Sequence, residues 1–143
     1  MARIVVGIDE SPAATAALRW ALEEARLRGA TVEVVHCWTF PAIGELPGAA
    51  LTQLLADLER AATETLDRVV DEVAGPEADV KVVRRVLEGG AGRNLVDTAA
   101  GADLLVVGSR GHGGFTGLLL GSVAQQCVHH APCPVVVVRD DQS

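Results

Sequence analysis

The chain has 143 residues, 49% of them apolar and 22% charged, with a formal net charge of −7. That composition argues against disorder and allows one domain, residues 1–143, with a buried core. The acidic balance argues against a nucleic-acid partner or an anionic membrane surface, and no apolar stretch reaches the roughly 18 residues of a membrane span. Aromatic residues are only 3%, so the core must be built from Val, Leu and Ala. Three cysteines, an odd number, suit a reducing cytoplasm better than a disulfide scaffold. The N-terminus runs straight into a strand pattern, without the apolar core of a signal peptide.

In chain order, Ile4 to Ile8 is a short apolar run that predicts a buried strand. Ser11 as N-cap and Pro12 at the first helical position predict a helix to about Arg28, capped by Gly29. Its apolar face is Ala14, Ala17, Leu18, Ala21, Leu22 and Ala25. Thr31 to Trp38 is β-branched and predicts a second strand, followed by a Pro- and Gly-containing loop over Thr39 to Gly48. Leu51, Leu54, Leu55, Leu58, Ala62, Leu66, Val69 and Val73 keep helical spacing, so a long amphipathic helix is expected from about Ala50 to Ala74. Val80 to Val86 predicts a third strand; Lys81, Arg84 and Arg85 suit a sheet edge. A turn over Gly89 to Gly92, a short helix from Arg93 to Ala100 and a strand from Asp103 to Val107 follow. The chain closes with a helix over Val123 to His130 and a strand over Pro134 to Val138.

Alternating strands and helices imply an α/β fold: a five-stranded parallel sheet with helices on both faces, in the order 3-2-1-4-5. Ligands of such sheets sit beyond the carboxyl ends of the strands where the order reverses, here between the first and fourth strands. Asp9 leaves the first strand at that end. Gly108-Ser109-Arg110-Gly111 leaves the fourth, and nine residues later Gly121-Ser122 opens the last helix. Glycine-rich backbone before a helix start leaves N–H groups free for phosphate. The loop is not a Walker A motif, because no Lys precedes Ser122. Nor is it a dinucleotide fingerprint: Thr116 stands where the third glycine would be, and the loop follows the fourth strand rather than the first. Ser122 is expected to cap the last helix, with Gln125 completing a capping box.

The spacing Gly108-x-x-Gly111-(nine)-Gly121-Ser122 resembles the ATP-binding branch of the universal stress protein family. The opening Val5-Val6-Gly7-Ile8-Asp9-Glu10-Ser11, the segment Val34-Val35-His36-Cys37 and the ending Ala131-Pro132-Cys133-Pro134 followed by Val135 to Val138 are similar to that family's first, second and last strands. The resemblance spans the whole chain. It implies an adenine-nucleotide site in which Asp9, with backbone of Gly7 and Ile8, lines the adenosine side. Cys37 would stand where second-strand backbone reads adenine. Val107, Gly108, Arg110 and Gly111 would wrap ribose and the first phosphates, and Gly121, Ser122 and Val123 would hold the terminal ones. Mg²⁺ would enter through the phosphates, and a homodimer through Val135–Val138 is expected, since family members pair through that apolar edge strand.

Other groups have plainer readings. Cys127, His129, His130 and Cys133 are spaced too closely for an easy zinc tetrahedron, with no second pair elsewhere. His36 reads as a packed or hydrogen-bonded side chain, and Trp20 and Trp38 as packing. His112 and Thr116 lie inside the glycine loop, where a phosphate contact and a plain loop role stay open. No nucleophile–base pair stands out. The leading expectation is therefore a nucleotide-dependent switch in the stress response, with at most slow ATP hydrolysis. A cyclic-nucleotide buffer and an adenylating or hydrolytic enzyme of the same architecture are the alternatives.

Overall fold

The computed structural model describes residues 2–40, 44–75, 79–110 and 120–140. Their elements are β1 (Arg3–Ile8), α1 (Pro12–Arg28), β2 (Thr31–Trp38), α2 (Gly48–Ala74) and β3 (Val82–Glu88), followed by α3 (Ala91–Thr98), β4 (Leu104–Gly108), α4 (Ser122–His130) and β5 (Val135–Val138). The five strands form one sheet in the order β3-β2-β1-β4-β5, every neighbouring pair parallel. This is the expected topology, with the reversal between β1 and β4.

Period-two alternation sends successive strand residues to opposite faces. Ile4, Val6, Val32, Val34 and Val106 meet Ala17, Leu18 and Ala21 of α1 and Leu66 and Val70 of α2. Val5, Val35, Leu105 and Val107 meet Leu95 and Ala99 of α3 and Ala124 and Cys127 of α4. A sheet covered on both faces explains why β1 and β4 read as unbroken apolar runs. Each buried Val or Leu side chain contributes roughly 1.5–3 kcal/mol, so the two clusters hold the layers together.

Local signals set most boundaries. Ser11 is extended and its Oγ accepts from Ala14 N–H at 3.2 Å, which caps α1; Gly29 ends the helix in the left-handed region at φ +66°. Most boundaries shift by one or two residues, and α2 begins at Gly48 rather than about Ala50. Strand β3 begins at Val82 rather than Val80, and α3 begins at Ala91 rather than Arg93. Gly90 supplies the extended N-cap backbone of α3, and its carbonyl accepts from Asn94 N–H at 3.0 Å, so a helical turn forms inside the predicted glycine turn. The stripe along α2 is also only half used. From Gly48 to Ala61 no residue is buried, whereas Ala62, Leu66, Val69 and Val70 sit in the core.

At the amino edge of the sheet, a charged network replaces apolar packing. Glu33 is 8% exposed. Its carboxylate accepts from Arg3 Nη1 at 2.5 Å and from Arg85 Nη1 at 3.1 Å, joining β1, β2 and β3. Arg3 also donates to the carbonyls of Thr98 (3.0 Å) and Ala100 (2.7 Å), so its cation sits at the C-terminal end of α3, where the helix dipole favours it. We expect Arg3→Ala to lower unfolding free energy by about 2 kcal/mol or more, because it strips a buried carboxylate of one partner and uncaps α3. Arg85→Ala should cost less, since that side chain is 44% exposed. Urea denaturation of both variants measures the difference; equal effects would remove Arg3 from its central place.

Candidate functional site

Beyond the carboxyl ends of β1 and β4 lies a cleft open to solvent. Gly7, Ile8 and Asp9 line it from the end of β1, and Val107, Gly108 and Arg110 from β4. Cys37 of β2 and Val123 of α4 complete the set of expected residues on its wall. Gly121 and Ser122 stand immediately before Val123, at the start of α4. Gly111, His112 and Thr116 lie outside the described residues. The walls that sequence reading missed are Ser11 and Ala14 on α1, Val35 on β2, Ala91 and Leu95 on α3, and Ala124 on α4. Leu95 and Ala124 carry no chemical signal, and only the folded packing brings them there. Ser11 was legible only as a cap.

The polar atoms of the cleft are held by short local contacts. Asp9 Oδ1 accepts from Ser11 N–H at 2.8 Å, which fixes the turn after β1. Ser11 Oγ donates to the Arg110 carbonyl at 3.4 Å while accepting from Ala14. His36 bonds the Ile8 carbonyl through Nδ1 at 3.0 Å; a carbonyl only accepts, so Nδ1 carries the proton. Asn94 Nδ2 donates to the Glu88 carbonyl at 3.0 Å and approaches Cys37 Sγ at 3.6 Å. Burial pushes the Cys37 thiol above its ordinary range, with the Asn94 contact opposing it, so Cys37 is a neutral thiol at pH 7.

The start of α4 corrects the capping-box expectation. The N-cap is Gly121, not Ser122; Ser122 is already helical and exposed, and no side chain caps the helix. The shift follows from Gly121, whose N–H donates to the Ser109 carbonyl at 2.6 Å and whose own carbonyl accepts from Gln125 N–H at 3.0 Å. Gln125 turns its side chain away from the expected box, donating Nε2 to the Leu120 carbonyl at 3.0 Å. The N–H groups of Ser122, Val123 and Ala124 therefore lack intrahelical acceptors and stand at the positive end of the helix dipole, beside the cleft. Such a helix start can take an anion.

The universal stress protein family model matches residues 1–139. The chain belongs to this family. A universal stress protein of Mycobacterium tuberculosis is 39% identical over 138 residues, covering 96% of this chain and 45% of that protein. The chain spans about half the length of the curated relatives it matches. Among solved structures, the universal stress protein from Archaeoglobus fulgidus in complex with dAMP is 29% identical, with a TM-score of 0.66 over 96% of this chain and 98% of that one. A universal stress protein in complex with cAMP is 25% identical, with a TM-score of 0.69 over 96% of each chain.

Within this family member, the first glycine of the motif is fixed by packing. A Cβ at Gly108 would lie 2.8 Å from the backbone carbon of Ala13 and 2.9 Å from its oxygen, closer than real side chains approach. Glycine at 108 is what lets the first turn of α1 reach β4. The Cys and His group near the C-terminus does not converge: Cys127 is fully buried in the core, His129 and His130 are exposed, and Cys133 is half-buried. Among the described residues no three His, Cys, Asp or Glu side chains are close enough together to hold a metal ion.

Burial pushes the Cys127 thiol up to about 11 from an ordinary 9.0, with Cys133 adding in the same direction. A folded value above the unfolded one means the thiol's contribution is complete below pH 9 and is lost as pH rises towards about 11. Urea-derived stability should fall across that window, and Cys127→Ala should flatten the fall. An unchanged slope would mean that Cys127 ionises freely in the fold.

Proposed function

We propose that the cleft binds an adenine nucleotide, with ATP as the physiological ligand, and that the protein acts as a nucleotide-dependent switch in the stress response. The observation that carries this reading is the uncapped start of α4: three backbone donors without helical acceptors, at the reversal point of a parallel sheet. The base and ribose would take the largely apolar floor of Gly7, Val35, Leu95 and Val107, next to Asp9 and Cys37. The phosphates would run past Gly108, Arg110 and Gly111 towards Gly121, Ser122 and Val123. Mg²⁺ carried with the phosphates would supply positive charge that offsets their repulsion from Asp9. The relatives in complex with dAMP and cAMP support the adenine part of the assignment.

Among the described residues of the cleft wall Asp9 is the one carboxylate, and its Oδ1 is held by Ser11 N–H, so we expect slow hydrolysis with ligand occupancy itself as the signal. The cAMP complex of the relative favours one second reading, a cyclic-nucleotide buffer. Requirement for Mg²⁺ and for three phosphates separates the two. Heat-released nucleotide identified by mass spectrometry, followed by titration with ATP, ADP and cAMP with and without Mg²⁺, decides between them. Gly121→Glu should abolish ATP binding while the folded circular-dichroism spectrum persists, because a carboxylate would occupy the phosphate volume. Retained affinity would remove the helix start from the site.

We also propose a homodimer through β5. Pro134 and Val138 carbonyls accept from Leu105 and Ser109 of β4 at 3.0 and 2.8 Å. Parallel alternation then turns the backbone groups of Val135 and Val137 outward, away from β4. The relatives of twice the length carry room for a second such unit in one chain. Val136→Asp should give monomer or insoluble protein, and Val137→Pro, which removes one outward donor and no bond to β4, should give soluble monomer by light scattering. A Val137→Pro protein that stays dimeric would place the interface elsewhere.

A further inference from the structure

We propose that Ser11 is a positioning residue for the nucleotide cleft: its hydroxyl ties the turn after β1 to the first residue past Ser109, and so holds the mouth of the glycine loop in the binding arrangement. The inference rests on the nucleotide reading given above and adds to it a residue that the glycine motif does not contain.

Ser11 is 5% exposed and lines the cleft. A hydroxyl has one proton and two acceptor positions. One acceptor position is taken by Ala14 N–H at 3.2 Å, the ordinary work of an N-cap. The proton is directed to the Arg110 carbonyl at 3.4 Å, across 99 residues of sequence. A cap needs only the first bond. The second connects α1 to the segment that leaves β4, and nothing about α1 requires it.

Arg110 sits between two other constraints. Ser109 N–H donates to the Val138 carbonyl at 2.8 Å, and Ser109 C=O accepts from Gly121 N–H at 2.6 Å. The backbone at 109 is thus fixed to β5 and to the start of α4, so the exit of the chain into the loop is decided one residue later, at Arg110. Gly108 contributes to the same junction by admitting the first turn of α1. Ser11 supplies the directional contact where Gly108 supplies the space. The Asp9 carboxylate holds the Ser11 backbone at 2.8 Å, so the serine is itself oriented by a residue on the cleft wall. Order imposed before the ligand arrives reduces the ordering cost of binding.

The capping and positioning roles can be separated by substitution. Glycine caps a helix almost as well as serine but has no hydroxyl, whereas threonine keeps both the cap and the donor. The experiment compares Ser11→Gly and Ser11→Thr with the unaltered protein, using amide hydrogen exchange without nucleotide and ATP titration with Mg²⁺. For Ser11→Gly we expect a small shift in melting temperature, faster exchange at Ser109, Arg110 and Gly121, and ATP binding weakened about three- to tenfold, the loss of one hydrogen bond's worth of preorganisation. Ser11→Thr should restore both readouts. Exchange and affinity both unchanged in Ser11→Gly would reduce Ser11 to a cap and overturn the proposal. Weakened binding with unchanged exchange would also overturn it, because the hydroxyl would then be touching ligand directly. If the unaltered protein binds no adenine nucleotide, the nucleotide reading fails, and the exchange comparison still decides whether Ser11 orders the junction.

Discussion

The close approach of the first turn of α1 to the end of β4 is the constraint on which the rest of the cleft depends. Ala13 presses on the Cα of Gly108 with no room for a side chain. That contact sets where Ser11 and Ala14 stand, and hence one wall of the cleft. It also means that a glycine at 108 would be required in a protein of this fold with no ligand at all. The first glycine of the motif is therefore explained by packing, whatever the cleft holds.

Gly121 has an extended backbone with φ −70° and ψ 168°, which any residue can adopt. No side chain caps the helix it opens. Glycine caps a helix roughly a few tenths of a kcal/mol less well than serine, and it offers the first N–H groups no side-chain acceptor. Here Ser122 stands one residue too late to act as the cap. Backbone donors at such a helix start are open to an acceptor from outside the helix. Helix α3 also starts at a glycine, Gly90, without a side-chain cap, and Ala91 lines the same cleft. Two uncapped helix starts thus face one cleft, while α1, capped by Ser11, completes the rim.

The architecture was legible because its signals are local and redundant. The β-branched run Thr31–Trp38, the Ser11-Pro12 start and Gly29 at φ +66° each specify their element without help from distant residues. Parallel order followed from helices separating the strands, and the place of the cleft followed from that order. The failures were of two kinds. At Ser122 a propensity rule met a competing tertiary bond, since Gly121 N–H is committed to Ser109 and the helix begins one residue earlier than a capping box requires. In α2 the apolar period continues unbroken from Leu51 to Val73, but only its second half reaches the sheet. Periodicity reports which side of a helix is apolar; it carries no information on where the sheet ends. Leu95 and Ala124 were missed on the cleft wall for a related reason, because apolar side chains look alike in sequence whether they fill a core or floor a site.

The two ends of the sheet solve different problems. At the amino edge, Arg3, Glu33 and Arg85 satisfy one another, and Arg3 also takes up carbonyls at the end of α3. Buried charge there is compensated within the chain, so that edge can be rigid and complete without a partner. The carboxyl edge opens α3 and α4 without side-chain caps, and bonds there fix the turn after β1 and the junction at Ser109. A domain with such a division can keep its core intact whether or not the cleft is filled.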